Sequence, residues 1–150
     1  MNSSTVTNRD WNTFLTETLS SFDCVTGILH RIDPVDGMLK LVSHRGIPEM
    51  LMGVIQTIPV GKGVAGAAAQ RREPVEICNL QTDTSGVAKP DAKKTQVQGS
   101  LAVPCLEPLT GRLCGTLGIG KMIAYDFTET EKARLMQIAA EIASELAPST

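Results

Sequence analysis

Apolar residues recur at a helical spacing near both ends of the chain. A stripe of Trp, Leu and Phe side chains over residues 9–22 predicts an amphipathic helix. A longer aliphatic stripe predicts a second helix over residues 128–146. Thr128 and Glu131 have the spacing of a capping box, in which each side chain bonds the backbone N–H of the other residue. We therefore expect the second helix to begin at Thr128.

Between these helices the pattern is that of short apolar strands joined by turns. Asp36-Gly37 supplies the positive φ that a tight hairpin needs, and a Pro-Leu-Thr-Gly sequence at residues 108–111 marks a second hairpin turn. Hairpin connections give an antiparallel sheet, so the predicted fold class is α+β. The predicted strands are residues 24–32, 38–43, 75–78, 100–106 and 113–122.

The middle of the chain combines two short helices with a long polar loop. Residues 48–56 and 64–72 are predicted to be helical, with an extended stretch at 57–60. Residues 79–98 show no periodicity, and a loop of this length is usually functional or mobile. Gly61-Lys62-Gly63-Val64-Ala65-Gly66 matches the dinucleotide-binding pattern, but hairpin-linked strands and a short helix do not fit that fold. We interpret its glycines as a turn with close backbone packing, whose free N–H groups beside Lys62 could attract an anion.

Composition narrows the possible functions. The chain of 150 residues has the size of one domain, with residues 1–8 expected to be a flexible N-terminus. Its 14 basic and 16 acidic residues give a net charge of -2, and aromatic residues make up only 3%. This balance argues against nucleic-acid binding. No signal peptide or membrane-length apolar run is present, so we expect a cytoplasmic protein without membrane partners.

The sequence offers no metal-ligating or catalytic cluster. The four cysteines, Cys24, Cys78, Cys105 and Cys114, form no CxxC motif and no Cys/His group. His30 and His44 lie on different predicted segments, and both are expected to be surface or hydrogen-bonded residues rather than catalytic bases. We therefore predict no catalytic residues, no metal and no cofactor. Whether Cys105 and Cys114, which flank a turn, are redox active stays open.

The end of the last strand carries a spaced set of residues that is expected to fix a corner. Lys121 closes the strand and Glu131 lies in the first turn of the last helix, so the two can form an ion pair. Phe127 is expected to be buried just before the helix. All three are interpreted as structural.

In order along the chain, several soft motifs together resemble the GAF domain family over residues 23–146. They are Ile58-Pro59-Val60-Gly61-Lys62-Gly63-Val64-Ala65-Gly66, a Pro-Val-Glu-Ile strand, Leu113-Cys114-Gly115-Thr116-Leu117-Gly118-Ile119 and Phe127-Thr128-Glu129-Thr130-Glu131. The resemblance implies a central antiparallel sheet of about six strands. Terminal helices would cover one face, and a ligand pocket would lie on the other face under the short helices and the long loop.

Two branches of the family differ from this chain at telling positions. The cyclic-nucleotide-binding branch has Asn-Lys where this chain has Gly120-Lys121. The standalone layout is also similar to free methionine-(R)-sulfoxide reductase, but Ala65 replaces a motif cysteine, and a methyl group cannot act as a thiolate. The leading hypothesis is a non-catalytic sensory or regulatory domain that binds a small molecule. The alternatives are a reductase that uses a relocated thiol, Cys78 or Cys105, and a purely structural dimerisation module.

Two further predictions follow from the expected layout. The ligand pocket is predicted to be mainly apolar with a few polar groups near strand ends. A homodimer through the helices from Arg9 to Phe22 and from Thr128 to Leu146 is predicted from apolar positions such as Met136, with an output signalling protein as a possible partner. The predicted ligand-binding residues are Leu51, Val54, Ile55, Ile77, Asn79, Val97, Ser100, Leu101, Val103 and Thr116.

Overall fold

A computed structural model describes residues 9–82 and 96–146 of the chain. Its helices and strands alternate as predicted, and the bounds differ from the predicted ones by a few residues at most. The segment 48–56, predicted as one helix, is a 3₁₀ turn followed by one short α-helix. The elements are α1 Trp11–Phe22, β1 Thr26–Ile32, β2 Leu39–Arg45, a 3₁₀ turn Glu49–Leu51, α2 Met52–Ile55, β3 Thr57–Ile58, α3 Gly63–Arg71, β4 Val75–Ile77, β5 Gly99–Leu106, β6 Leu113–Lys121 and α4 Glu129–Leu146.

The six strands form one sheet in the order β3-β2-β1-β6-β5-β4. Every neighbouring pair is antiparallel, which confirms the predicted α+β class. The two central strands, β1 and β6, are far apart in sequence, and Leu29 lies directly opposite Leu117. Val103 of β5 continues the same row. Long-range pairing of β1 with β6 thus joins the two hairpins that local signals predict, and the strands from the middle of the chain, β3 and β4, lie at the two edges of the sheet.

Helices α1 and α4 cover one face of the sheet and form the main hydrophobic core with it. Leu15 of α1 and Leu135 of α4 are fully buried, as are Leu29 and Leu117 beneath them. Burying such a side chain completely contributes about 1.5–3 kcal/mol. This face therefore supplies most of the stability of the domain.

Local hydrogen bonds set the ends of both helices. The side chain of Asp10 accepts from the backbone N–H of Thr13 at 3.1 Å, which caps α1. At the start of α4, Thr128 N–H donates to Glu131 Oε1 at 2.8 Å, and Glu131 N–H donates to Thr128 Oγ1 at 3.0 Å. The capping box predicted from the sequence is therefore confirmed.

The corner between β6 and α4 is held by contacts other than the predicted ion pair. The buried ammonium group of Lys121 donates to the backbone oxygens of Phe22 at 2.8 Å and Asp23 at 2.9 Å. A cation there stabilises the negative end of the α1 dipole. Glu131 accepts instead from the hydroxyl of Tyr125 at 2.9 Å. Phe127 is buried, as predicted.

The outer surfaces of α1 and α4 are polar. Phe14 and Met136, counted in the sequence as surplus apolar positions, are partly buried against the chain's own core. In the described residues of both helices no large apolar side chain is among the exposed ones. The apolar side chains on which the dimer prediction rests therefore pack in part within the single chain, and the exposed positions carry residues such as Glu17, Gln137 and Glu141. The dimer itself stays a prediction.

Candidate ligand pocket

The second face of the sheet is built from the residues that alternate with the core positions. Ile28, Gly118 and Ala102 lie side by side on β1, β6 and β5. One step further along the strands, Thr26, Gly120 and Ser100 form the next row. Apart from Ile28, the residues in these two rows have small side chains or none, so the centre of this face is shallow.

Short elements from the middle of the chain cover this floor. Leu51 of the 3₁₀ turn and Ile55 of α2 are buried above it, and the first turn of α3 closes one side. The loop predicted to complete the cover lies largely outside the described residues. Together the described elements border a partly open cavity of about 160 Å³. Its lining consists of Thr26, Gly27, Ile28, His30, Ile47, Leu51, Val54, Ile55, Ile58, Lys62, Gly63, Val64, Ala65, Leu80, Val97, Ser100, Ala102, Gly118, Ile119 and Gly120.

Two glycines of β6 mark where the floor is open and where it is filled. A Cβ atom added at Gly118 would meet its nearest neighbours, the Leu101 oxygen and Ala102 Cβ, at 3.8 and 3.9 Å. At Gly120 it would lie 2.4 Å from Thr26 Oγ1 and 2.8 Å from Val97 Cγ1. Gly118 therefore leaves free space above the sheet, whereas the side chains around Gly120 already occupy theirs.

His30 is the buried polar side chain in the cavity wall. It is 1% exposed, and its Nε2 lies 2.7 Å from the backbone oxygen of Ile55. Because a carbonyl oxygen only accepts, we assign the hydrogen to Nε2, and Nδ1 of the neutral ring is then an acceptor. This Nδ1 is buried and has no hydrogen-bond partner among the described residues. Burial lowers the pKa of His30, with the Ile55 contact opposing it, so the ring is neutral at pH 7.

The N-terminus of α3 forms another part of the wall. Lys62, Gly63, Val64 and Ala65 line the cavity, and no side chain caps the helix at Lys62. Gly63 has a φ of 68°, a conformation that favours glycine. A Cβ at Gly66 would lie 2.6 Å from the Pro59 oxygen. The motif glycines thus serve the turn and the close backbone approach expected of them.

The structure brings about half of the predicted site residues together. Leu51, Val54 and Ile55 lie in the cover of the cavity, and Val97 and Ser100 line it from the side of β5. All five are predicted pocket residues that the fold places around one space. Their contact with a ligand stays a prediction.

The other predicted site residues do not line this cavity. Leu101 and Val103 point to the opposite face and belong to the core under α1 and α4, because side chains alternate along β5. Thr116 is opposite His30 and fully buried, with its hydroxyl unpartnered among the described residues. Asn79 accepts from Gln81 N–H at 3.0 Å and shapes the turn after β4. Ile77 is buried on β4 directly opposite the lining residue Ser100, but it does not itself line the cavity.

Sequence reasoning missed His30 and the floor glycines, and it connected the start of α3 with an anion without placing it in the pocket wall. A glycine whose function is to leave space gives the same sequence signal as one required for a turn. His30 was correctly placed on a strand, but its burial depends on Ile55, which is distant in sequence.

None of the four thiols lines the cavity. Cys24, Cys105 and Cys114 are buried in the core on the other face, and burial raises the pKa of Cys24 to about 11 and that of Cys105 further still. Cys78 is exposed after β4, where its hydrogen bond to Asp126 raises the thiol pKa. Thiols with raised pKa values are poor nucleophiles at neutral pH. Across residues 9–82 and 96–146, no group of three or more His, Cys, Asp or Glu side chains could hold a metal ion.

Three solved structures resemble the chain in fold. A GAF domain from a phosphoenolpyruvate-protein phosphotransferase of Coxiella burnetii superposes with a TM-score of 0.77, at 21% identity over 96% of this chain and 87% of that one. A free methionine-R-sulfoxide reductase from Neisseria meningitidis, in complex with its substrate, gives 0.73 at 20% identity over 95% and 82%. A type II free methionine-R-sulfoxide reductase from Thermoplasma acidophilum gives 0.74 at 16% identity over 95% and 93%. These likenesses show the shared fold.

No curated protein sequence matches the chain significantly. No helix in the described part of the chain has the length and apolar character to cross a membrane. The family model of the GAF domain, in contrast, matches residues 11–147. The chain therefore belongs to the GAF domain family.

Proposed function

We propose that this GAF domain binds a small, largely apolar molecule in the cavity and acts as a sensory or regulatory module. One observation carries the proposal: the sheet face opposite the main core is hollowed at Gly118 and roofed by Leu51 and Ile55. Apolar walls with a few polar groups are typical of small-molecule sites. A domain with no need for a ligand gains stability by filling such a space.

A catalytic role has less support from the same geometry. Reduction of a sulfoxide by a thiol mechanism needs a thiolate beside the substrate. The lining has Ala65 in the motif position, and Cys78 and Cys105 lie outside the lining. The relocated-thiol alternative thus lacks a nucleophile in this cavity.

Native mass spectrometry of freshly purified protein tests the binding proposal. We expect a fraction of the wild-type chain to carry a small molecule in addition to its own 16.0 kDa. Gly118→Val directs an isopropyl group into the free space and should abolish the added mass. Ala133→Leu, which also adds three carbon atoms but at an exposed position of α4, is the matched control and should retain it. A wild type that always appears bare, or a Gly118→Val variant that keeps the ligand, contradicts the proposal.

A thiol-dependent assay on free methionine sulfoxide separates the enzyme alternative from the sensory one. We expect no turnover above background. A rate that Cys78→Ser or Cys105→Ser abolishes would establish the relocated-thiol reductase instead.

The homodimer through α1 and α4 and the output partner remain proposals. Because the outer surfaces of these helices are polar, such a dimer would depend on polar contacts rather than on buried apolar area. Light scattering at tens of micromolar protein measures it. Met136→Glu is unsuited as a probe, since Met136 packs against the subunit's own core. Gln137→Glu is the suitable probe, because it changes an exposed position. A wild type that is monomeric would contradict the dimer proposal.

A further inference from the structure

Building on the proposed function, we infer that the molecule bound in the cavity is a monoanion with an apolar body. Its anionic group lies at the N-terminus of α3, beside Lys62. The apolar body lies over Gly118, against aliphatic side chains such as Ile28 and Ile55.

The first support is the uncapped end of α3. The first residues of this nine-residue helix, Gly63, Val64 and Ala65, line the cavity, and no side chain accepts from their N–H groups in a cap. The N-terminus of a helix carries the equivalent of about half a positive charge, and its free N–H groups bind anions. In this chain that end of the dipole forms part of a cavity wall.

The second support is the charge of the lining. Lys62 is its charged residue, and none of the lining residues is a carboxylate. His30 contributes no charge, because burial lowers its pKa and keeps the ring neutral. A cationic ligand would meet Lys62 and the positive helix end without a counter-charge, whereas a monoanion is complemented by both.

The third support is independent of the helix and comes from another part of the wall of the same cavity. His30 is 1% exposed, its ring forms part of the wall, and its Nδ1 has no partner among the described residues. A buried polar atom without a partner costs about as much as a lost hydrogen bond. A hydroxyl or N–H group on the ligand would satisfy Nδ1, so the anion is expected to carry a hydrogen-bond donor as well.

Two probes of the same shape isolate the charge. The first is 2-hydroxy-4-methylpentanoate, a branched aliphatic carboxylate whose hydroxyl group can donate to His30 Nδ1. The second is 2-hydroxy-4-methylpentanamide, which keeps that hydroxyl and in which an uncharged amide replaces the carboxylate. By titration calorimetry we expect the acid to bind at least about tenfold more tightly than the amide, and the difference to shrink as salt is added.

Two variants then locate the anionic group. Lys62→Gln should weaken the acid about threefold to fivefold and leave the amide unchanged. Lys40→Gln is the matched control, because Lys40 lies away from the lining and pairs with Asp36 at 2.8 Å. Nitrogen NMR of the His30 ring should respond to the acid, because the ring forms part of the wall.

The outcomes separate this inference from the proposed function. Equal affinity for acid and amide, no detectable binding of the acid, or no effect of Lys62→Gln overturns the inference. The proposed function depends on the mass measurement, so a bound neutral molecule would contradict the inference and leave the proposed function standing.

Discussion

Leu29, Leu117 and Val103 lie in one row on the helix-covered face of the sheet, and all three are fully buried. One residue further along β6, on the opposite face, Gly118 carries no side chain and lies beside Ala102. The same strands thus supply a filled core on one side and a hollow on the other. Alternation of side chains allows this, because neighbouring positions on a strand face opposite ways. The difference separates the residues needed for stability from those available for binding.

Truncation of one leucine on each face should give the largest difference in stability between the two faces. Leu117→Ala removes a side chain surrounded by core atoms and should destabilise the domain by about 3–5 kcal/mol. Leu51→Ala removes a roof residue that already borders empty space, and about 2 kcal/mol is expected. Urea unfolding followed by circular dichroism measures both. Equal losses would mean that the second face is as tightly filled as the first.

The two floor glycines should respond to the same substitution with opposite signs. Gly120→Ala places a Cβ 2.4 Å from Thr26 Oγ1 and should cost about 1–3 kcal/mol. Gly118→Ala meets ordinary contacts at 3.8 Å and beyond, and it removes the entropic cost of glycine in a strand, so a gain of about 0.5–1 kcal/mol is expected. Thermal unfolding of the pair checks the signs. A destabilised Gly118→Ala would show that the floor has no free space.

The buried histidine on the second face should make the free energy of unfolding depend on pH. Burial lowers the pKa of folded His30 below the unfolded value of about 6.5. The contribution of the neutral His30 ring to the free energy of unfolding is therefore fully present above about pH 6.5. It is lost as the pH falls from there through the folded pKa, because the unfolded chain binds the proton first. Unfolding free energies at a series of pH values should fall less steeply in His30→Gln than in the wild type. Parallel curves would show that His30 is not responsible.

Much of the fold follows from local sequence signals. The Asp36-Gly37 turn and the capping box of Thr128 and Glu131 depend on residues close in sequence, and the structure contains both. The pairing of β1 with β6 depends on contacts across most of the chain. Local patterns alone do not determine such a pairing, and the resemblance to the GAF family supplied the layout.

The site was less predictable because it depends on which face each residue occupies. In a continuous apolar run such as β5, the sequence does not indicate whether Leu101 or Ala102 faces the helices, and a shift of one position exchanges the faces. Leu101 was therefore assigned to the pocket, although it lies in the core. Val97 and Leu51 lie outside the strands, so alternation along a strand does not affect their prediction. Both line the cavity on the second face of the sheet.

Methyl NMR of the wild-type protein tests the central claim, that only the second face receives a ligand. The labelled protein would be titrated with a low-molecular-mass extract of its host cells. We predict that the methyl signals of Ile28, Ile55 and Val97 shift, whereas those of Leu117 and Val103 stay in place. Unchanged signals on both faces, or equal shifts on both, would contradict the account.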